Sequence, residues 1–308
     1  MSDHPLESWR WLFIILGLPT VLWGVLLFLI LPDTPSKAWF LSREERLFAQ
    51  QRHQSVQRSW KTNEWKISQF CEAIKDLKTW FFFVIITTGS LTNGVISNFS
   101  ALIIQSLGFD TFTTLLLNLP IATFQFIVVI VSSLAAQRFR KSRLILVIIG
   151  NIVALVGTLL IRQQDTNNKG GRFAGVMLLL ASSNIFPLML SLISSNVGGI
   201  TKKATVNAIF FLGYCAGNIA GPQMFISKEA PTHQTAFTGL LSLFCLVTAF
   251  LALFRLYLDL ENKRRDKEQG KHIDAEQKDG CPVSEPNNEG PNLHDETDFE
   301  NSDYRYCL

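Results

Sequence analysis

Side-chain amides and hydroxyls are the polar groups that interrupt the long apolar stretches of this sequence. Seven stretches contain no Asp, Glu, Lys, Arg or His, and they cover residues 11–31, 80–104, 113–136, 144–161, 173–194, 205–225 and 235–254. An amide without a hydrogen-bond partner in apolar surroundings costs about 2–7 kcal/mol, so each one must face another helix or a wet cavity. These stretches therefore offer neutral hydrogen-bonding chemistry, and they lack the ionisable groups that usually carry proton or ion coupling.

Two of the stretches carry polar residues in patterns that are typical of binding sites. In 205–225, Asn207, Tyr214 and Asn218 are separated by seven and then four residues, which places them on one face of a helix. In 173–194, Pro187 follows Asn184 and removes a backbone donor, so it favours a broken helix near the middle of the stretch. For every amide two interpretations stay open: a hydrogen bond between helices, or a group that lines a substrate path.

The length and polarity of the stretches predict transmembrane helices. About 20 apolar residues are needed to cross a hydrocarbon core, and these stretches are apolar on nearly all sides. Transmembrane β-strands would be shorter and would alternate in polarity. We therefore expect an all-α membrane protein with about seven spans. No nucleophile, metal cluster or phosphate loop indicates an enzyme, so we predict no catalytic residues, cofactor or metal, and no nucleic-acid partner.

Basic residues are concentrated in alternate connections. A total of 23 Lys and Arg lie in the segments 32–79, 137–143 and 195–204 and after residue 254. The other connections between spans carry only four. The positive-inside rule then places the 32–79 loop and the C-terminus in the cytoplasm. Within the loop, Ser42 and Glu45 form a potential capping box for a helix over about 42–58. An amphipathic piece over about 66–77 should lie along the membrane face.

The end of the chain has a composition typical of disorder. Residues 262–308 are rich in Lys, Asp, Glu, Asn, Gly and Gln and contain few large apolar groups. Such a segment buries too little surface to fold, so we predict a disordered cytoplasmic tail.

Two groups of motifs resemble a known transporter family. The first is Ser8-Trp9-Arg10-Trp11-Leu12-Phe13, with Gly17-Leu18-Pro19-Thr20, Leu31-Pro32-Asp33-Thr34-Pro35, Ala38-Trp39-Phe40-Leu41-Ser42 and Glu44-Glu45-Arg46. The second is Thr201-Lys202-Lys203, Asn207-Ala208, Tyr214, Gly217-Asn218-Ile219-Ala220-Gly221-Pro222-Gln223 and Glu229-Ala230-Pro231. They are similar to the sixth and eleventh helices of fungal major facilitator transporters. The similarity is greatest to the anion:cation symporters, which include allantoate, nicotinate, pantothenate and biotin permeases.

The resemblance implies a fold and a division of the chain. It implies the C-terminal six-helix half of the major facilitator fold plus one preceding helix, from a transporter truncated at its N-terminus. Residues 1–31 would be the equivalent of helix six and 32–79 the central loop. Residues 80–258 would be the six-helix half, followed by the tail at 259–308.

The resemblance also implies a function. It is a secondary transporter of a small organic anion or vitamin-like carboxylate, coupled to protons, in the plasma membrane. Membrane lipids would surround the chain, and a missing N-terminal half or a full-length transporter would be its protein partner. By polarity and position, the retained wall of the path would comprise Asn93, Asn118, Asn184, Asn207, Tyr214 and Asn218.

A gating loop is also implied by the resemblance. The basic turn with Arg138, Arg140 and Arg143 occupies the place where the fold carries a turn that closes the inward gate by ion pairing. The usual acidic partner before this turn is absent here. The alternative function that stays open is a degenerate paralogue or regulatory membrane protein that does not transport.

Overall fold

Helices make up all the regular secondary structure in the part of the chain that the structure describes. This computed structural model describes residues 8–32, 38–48, 65–106, 110–139, 141–164, 168–224, 234–268, 295, 297–301 and 304–308. The chain divides into two units. The first comprises Met1–Arg58 with Pro286–Pro291, and the second comprises Ser59–Glu285 with Asn292–Leu308.

In its described residues, the first unit contains one long helix and one short helical stretch. Helix α1 spans Ser8–Ile30, and α2 covers residues 43–48. The indole of Trp39 donates to the carbonyl of Ile30 over 3.3 Å and so caps the end of α1. The predicted capping box is confirmed, because the Ser42 amide donates to Glu45 at 2.9 Å and the Glu45 amide donates to the Ser42 hydroxyl at 3.3 Å. These bonds from Ser42 lower the pKa of Glu45. The rest of the helix predicted over 42–58 lies outside the described residues.

The second unit contains eight helices and two short 3₁₀ turns in its described ranges. The helices are α3 Ile67–Lys75, α4 Leu77–Ser106, α5 Thr111–Arg138, α6 Arg143–Gln163, α7 Lys169–Leu179, α8 Ile185–Asn196, α9 Ile200–Ala220 and α10 Gln234–Glu268. The 3₁₀ turns are Leu180–Asn184 and Gly221–Met224.

Seven helical segments among the described residues are long and apolar enough to cross a membrane, which confirms the predicted number. They are Trp9–Ile30, Leu77–Ser97, Phe112–Arg138, Arg143–Gln163, Gly170–Asn196, Ile200–Met224 and Thr235–Glu268. On α5, Leu115, Leu119 and Phe126 point outward and are about two-thirds exposed. An apolar surface of this kind requires lipid or another helix, because water would drive it to aggregate.

Glycines let the two most closely packed helices, α4 and α9, approach each other. A Cβ atom at Gly217 would lie 2.4 Å from the carbonyl oxygen of Thr87, and one at Gly221 would lie 2.5 Å from that of Leu91. Gly213 faces the hydroxyl of Thr87 in the same way, at 2.6 Å. Small residues allow such backbone contact where lipid supplies no hydrophobic drive for helix association. These glycines are therefore helix-packing residues.

The fifth span is interrupted as the sequence predicts. Helix α7 ends at Leu179, a 3₁₀ turn follows, and α8 begins at Ile185 with Pro187 in its first turn. Proline is tolerated in a first turn because the amide it lacks has no partner inside the helix there. Helix α5 packs against this turn.

Helix α3 is amphipathic, and its apolar stripe points away from the bundle. Ile67, Phe70, Ile74 and Leu77 are exposed, whereas Gln69 and Ala73 are buried against the rest of the unit. The outward stripe continues at both ends with the exposed Trp65 and Trp80. A helix with this polarity fits the predicted position along a membrane face.

The prediction of a disordered tail is wrong for the described residues after 258. Helix α10 continues to Glu268, and Tyr304, Tyr306, Cys307 and Leu308 are buried against the second unit. The average composition of residues 262–308 is polar, and it hides the aromatic and apolar residues at the end of the segment. Residues 269–294 lie outside the described part of the chain.

The close approach of α4 and α9 gives a first prediction. Gly217→Ala should lower the stability of the protein by about 1–3 kcal/mol, because the added methyl group meets the backbone of Thr87. Gly170→Ala is the matched control, since nothing lies within 4 Å of its Cβ position. Thermal unfolding in detergent measures both. A Gly217→Ala midpoint equal to that of the control would contradict the packing.

Candidate functional site

One face of α9 carries the polar residues that the sequence singled out. Asn207, Tyr214 and Asn218 are each half-buried and lie along the same side of the helix. The amide of Asn218 donates to the carbonyl of Tyr214 at 2.9 Å, which fixes its side chain against its own helix. The Oδ1 atom of Asn207 is buried and has no hydrogen-bond partner among the described residues. An acceptor in that condition is available to a donor that the described residues do not supply.

An aromatic cluster borders this face of α9. The Phe186 ring lies 4.9 Å from the Tyr214 ring and 5.7 Å from the Phe210 ring, between centroids. Phe211 contacts Phe186 as well, at 5.9 Å. Phe186 belongs to the first turn of α8, so the interruption of the fifth span positions a ring beside the polar face of α9.

The other three candidate residues lie in different surroundings. Asn184 is 2% exposed, and its amide donates to the carbonyl of Leu146 on α6 at 2.9 Å, so it joins two helices. Asn118 is half-buried and donates to Thr114 on its own helix. Asn93 is exposed and accepts from the hydroxyl of Ser97. The structure thus groups three of the six candidates on α9 and assigns an interhelical bond to Asn184.

The basic turn between α5 and α6 packs against neighbouring helices. Arg143 donates to the hydroxyl of Ser195 at 2.6 Å and lies 3.4 Å from the carbonyl of Ser191, both on α8. Arg255 on α10 donates to the carbonyl of Lys141 at 3.1 Å. Arg138 is exposed, and Arg140 lies outside the described residues. The turn therefore holds α6, α8 and α10 together at one end of the unit.

A cluster of buried charges, which sequence reasoning missed, lies at the same end. Lys78 at the start of α4 and Lys202 at the start of α9 have side chains that are at most 1% exposed. Lys202 contacts Asp76 at 2.9 Å, Glu72 at 2.8 Å and Asp298 at 2.7 Å. Lys78 pairs with Asp298 as well and lies 3.3 Å from Asp76. We call Asp76, Lys78, Lys202 and Asp298 the charge cluster.

Asp298 stays ionised because the lysines overcome the effect of burial. Burial alone would raise the pKa of Asp298, but the charges of Lys78 and Lys202 and their hydrogen bonds lower it, to about 2. The phenol of Tyr306 donates to the same carboxylate at 2.9 Å. Burial, the charge of Asp298 and this bond raise the pKa of Tyr306, so its proton is held firmly.

The lowered pKa of Asp298 gives a second prediction. A carboxylate with a pKa below its unfolded value of about 3.9 stabilises the fold above that pH, and the contribution disappears as pH falls through about 2. The full loss is about 3 kcal/mol, since the pKa is lowered by about 2 and one pKa unit corresponds to about 1.4 kcal/mol. The free energy of unfolding of the native chain should therefore fall more between about pH 4 and pH 2 than that of the Asp298→Asn variant. Parallel pH curves for the two proteins would contradict the role of this carboxylate.

Comparisons with known proteins agree with the helical architecture. The family model described as Major Facilitator Superfamily matches residues 5–222. The Allantoate permease of Saccharomyces cerevisiae is 36% identical over all of this chain and 56% of its own length. The Thiamine pathway transporter of the same yeast is 31% identical over 85% of this chain and 50% of its own length. An Uncharacterized transporter of Schizosaccharomyces pombe is 36% identical over all of this chain and 58% of its own length.

These matches define the family and the part of it that is present. No solved structure matches the chain. The chain spans about half the length of the curated relatives it matches. Its helices, the family model and the relatives together identify an integral, multi-pass membrane protein with a half of the transporter fold. This chain belongs to the Major Facilitator Superfamily.

Proposed function

We propose that this chain provides one wall of a transport path for a small organic anion or vitamin-like carboxylate. The observation that carries the proposal is the polar face of α9, where the unpartnered oxygen of Asn207 lies on the same side as Tyr214 and Asn218. Relatives that match the chain over most of its length are named as transporters. In such proteins substrate sites lie near the bilayer midplane, between helices that can be discontinuous.

The chemistry of the wall suits a substrate with both polar and flat apolar parts. Amide groups on α9 can exchange hydrogen bonds with a ligand, and the rings of Phe186 and Tyr214 supply an apolar surface next to them. Asn93 and Asn118 extend the proposed wall on α4 and α5. Asn184 already donates its amide N–H to Leu146, but its buried Oδ1 has no partner among the described residues and can contribute an acceptor to the wall.

Proton coupling is part of the proposal. The apolar middle of every span lacks a carboxylate. An ionisable side chain at that depth costs free energy to bury, so where one is present it usually has a function such as carrying a proton. We infer that the coupling group belongs to the opposite wall of the path and that this chain contributes neutral contacts. The plasma membrane is the proposed location.

A chimera gives the sharpest test of transport. This chain would replace the matching segment of the Allantoate permease, and yeast cells lacking that permease would express either the chimera or this chain alone. We expect the chimera to take up a labelled organic carboxylate from a panel that starts with allantoate, and a protonophore should abolish the uptake. A chimera that reaches the membrane and takes up none of the carboxylates would contradict the proposal. Uptake by the chain alone would exclude the non-transporting alternative.

Variants on α9 test the wall itself. In the transporting chimera, Asn207→Ala and Tyr214→Ala should each raise the KM about five- to tenfold, because a lost contact of about 1–1.5 kcal/mol weakens binding by that factor. Ser242→Ala is the matched control, since this exposed hydroxyl bonds only its own helix, through Thr238. An unchanged KM in both α9 variants, with the control also unchanged, would remove α9 from the path.

The proposed orientation is open to a separate test. The basic turn, the start of α9 and the end of α10 lie at one end of the second unit, as their contacts show. The positive-inside rule would place that end in the cytoplasm. An epitope tag after Leu308 should then resist protease in intact cells and be cleaved after permeabilisation. Cleavage in intact cells would reverse the orientation.

A further inference from the structure

The final residues of the chain are bound by helix side chains in the way that a protein binds a peptide. Asn196 at the end of α8 brackets Cys307: its Oδ1 accepts from the Cys307 amide at 2.6 Å, and its Nδ2 donates to the Cys307 carbonyl at 2.9 Å. Asn262 on α10 brackets Tyr306 with the same pair of bonds, each 2.9 Å long. Such paired bonds recognise extended backbone and depend little on the side chain that it carries.

Arg265 adds a third contact to the backbone of the same segment. Its guanidinium donates to the carbonyls of Asp298 at 3.0 Å and Tyr304 at 3.2 Å, and it lies 4.7 Å from the centre of the Tyr306 ring. The side chain is about nine-tenths buried. A cation held between carbonyls and an aromatic ring is a favourable, largely desolvated arrangement.

The negative charge of Asp298 complements the two lysines of the site. Its carboxylate lies between Lys78 and Lys202, and it also accepts from the amide of Gly198 at 3.3 Å. Removing one partner from a buried ion pair leaves an uncompensated charge, which is strongly destabilising. Lys78 and Lys202 thus favour an acidic residue at this position of the bound segment.

Asp295 extends the contact to α3 and to the beginning of α9. It accepts from the amide of Ile200 at 2.9 Å and from the side chain of Gln69 at 3.0 Å. The bound residues therefore contact α3, α4, the α8–α9 connection and α10 at once. These elements are distant in sequence from one another, and the bound segment joins them.

We propose that this end of the unit is a peptide-binding site whose ligand is the chain's own segment 295–308. The site comprises Gln69, Lys78, Asn196, Lys202, Asn262 and Arg265, and the segment binds it reversibly. The segment belongs to the same chain as the site, so it is a tethered ligand. A tethered ligand of this kind binds at an effective concentration on the order of mM.

Binding of the segment holds the ends of α4 and α9 in one arrangement. Lys78 and Lys202 begin those two helices, and one carboxylate contacts both. When the segment leaves, Asp76 remains as a shared counter-ion, so the two lysines are paired in part and become accessible to water. The released state therefore has looser helix ends. This inference does not depend on which substrate is transported.

The full chain with a cleavable tether tests the proposal. A protease site would be inserted after residue 290, and the purified protein would be cleaved in reducing buffer and washed on a column. Mass spectrometry would then measure how much of the C-terminal fragment stays bound. We expect the native fragment to be retained and the Asp298→Asn fragment to be lost at least about a hundredfold faster. Glu268→Gln is the matched control, because it removes a carboxylate that is exposed at the end of α10.

Each outcome of the cleavage experiment decides the question. Retention of the C-terminal fragment by the native and Glu268→Gln proteins, with loss of the Asp298→Asn fragment, supports the site. Immediate release of the native fragment overturns it, and so does equal retention of the Asp298→Asn fragment.

A second measurement on the uncleaved native chain covers the case in which Asp298→Asn does not fold. Hydrogen exchange of the Tyr306 and Cys307 amides should be at least about a hundredfold slower than in the free peptide 295–308, because Asn262 and Asn196 accept from them. Exchange should also slow at the start of α9 when the segment is bound. Exchange of both amides at the rate of the free peptide would overturn the proposal.

Discussion

Two lysines with almost no exposed surface determine how one end of this helical half is built. Lys78 and Lys202 begin α4 and α9, and each would cost several kcal/mol to bury without a counter-ion. Asp76 satisfies part of this requirement, since its carboxylate also accepts from the Lys78 backbone amide at 2.9 Å and so caps the start of α4. Asp298 supplies the rest from the far end of the chain. The bound C-terminal segment is therefore a consequence of the electrostatics at the helix ends.

The same constraint takes another form in the middle of the spans. There the polar groups are neutral, and many satisfy themselves within one helix: Asn151, Thr158 and Asn218 each donate to the carbonyl four residues earlier. Such bonds leave the helix surface free to pack through glycine, as α9 does against α4. Asn207 and Asn184 depart from this pattern, because the side-chain oxygen of each is buried and has no hydrogen-bond partner among the described residues. An unpaired acceptor of this kind separates a candidate binding amide from an amide that only packs.

Local features of this fold follow from the sequence, and distant contacts do not. The seven spans, the Ser42–Glu45 capping box and the break before Pro187 depend on neighbouring residues and were predicted correctly. The ion pair between Lys78 and Asp298 joins residues 220 positions apart, and spacing carries no information about it. Composition also misled, since the charged stretch before residue 295 concealed the segment with Tyr304 and Tyr306. At the candidate site, the polar face of α9 was predictable from helical periodicity. The bond from Asn184 to Leu146 on α6 joins two separate helices and was not predictable from the sequence.

Helix α9 connects the two regions. Its first turn carries Lys202 in the charge cluster, and its later turns carry Asn207, Tyr214 and Asn218 on the polar face. Because α9 is in backbone contact with α4 at Gly217 and Gly221, the two helices can slide past each other only by breaking tight contacts. The carboxylate of Asp298 contacts a lysine near the start of each helix, so the two helices are joined by ion pairs at one end and by glycine packing further along. Helix α9 thus carries both the charged end and the polar face of this half.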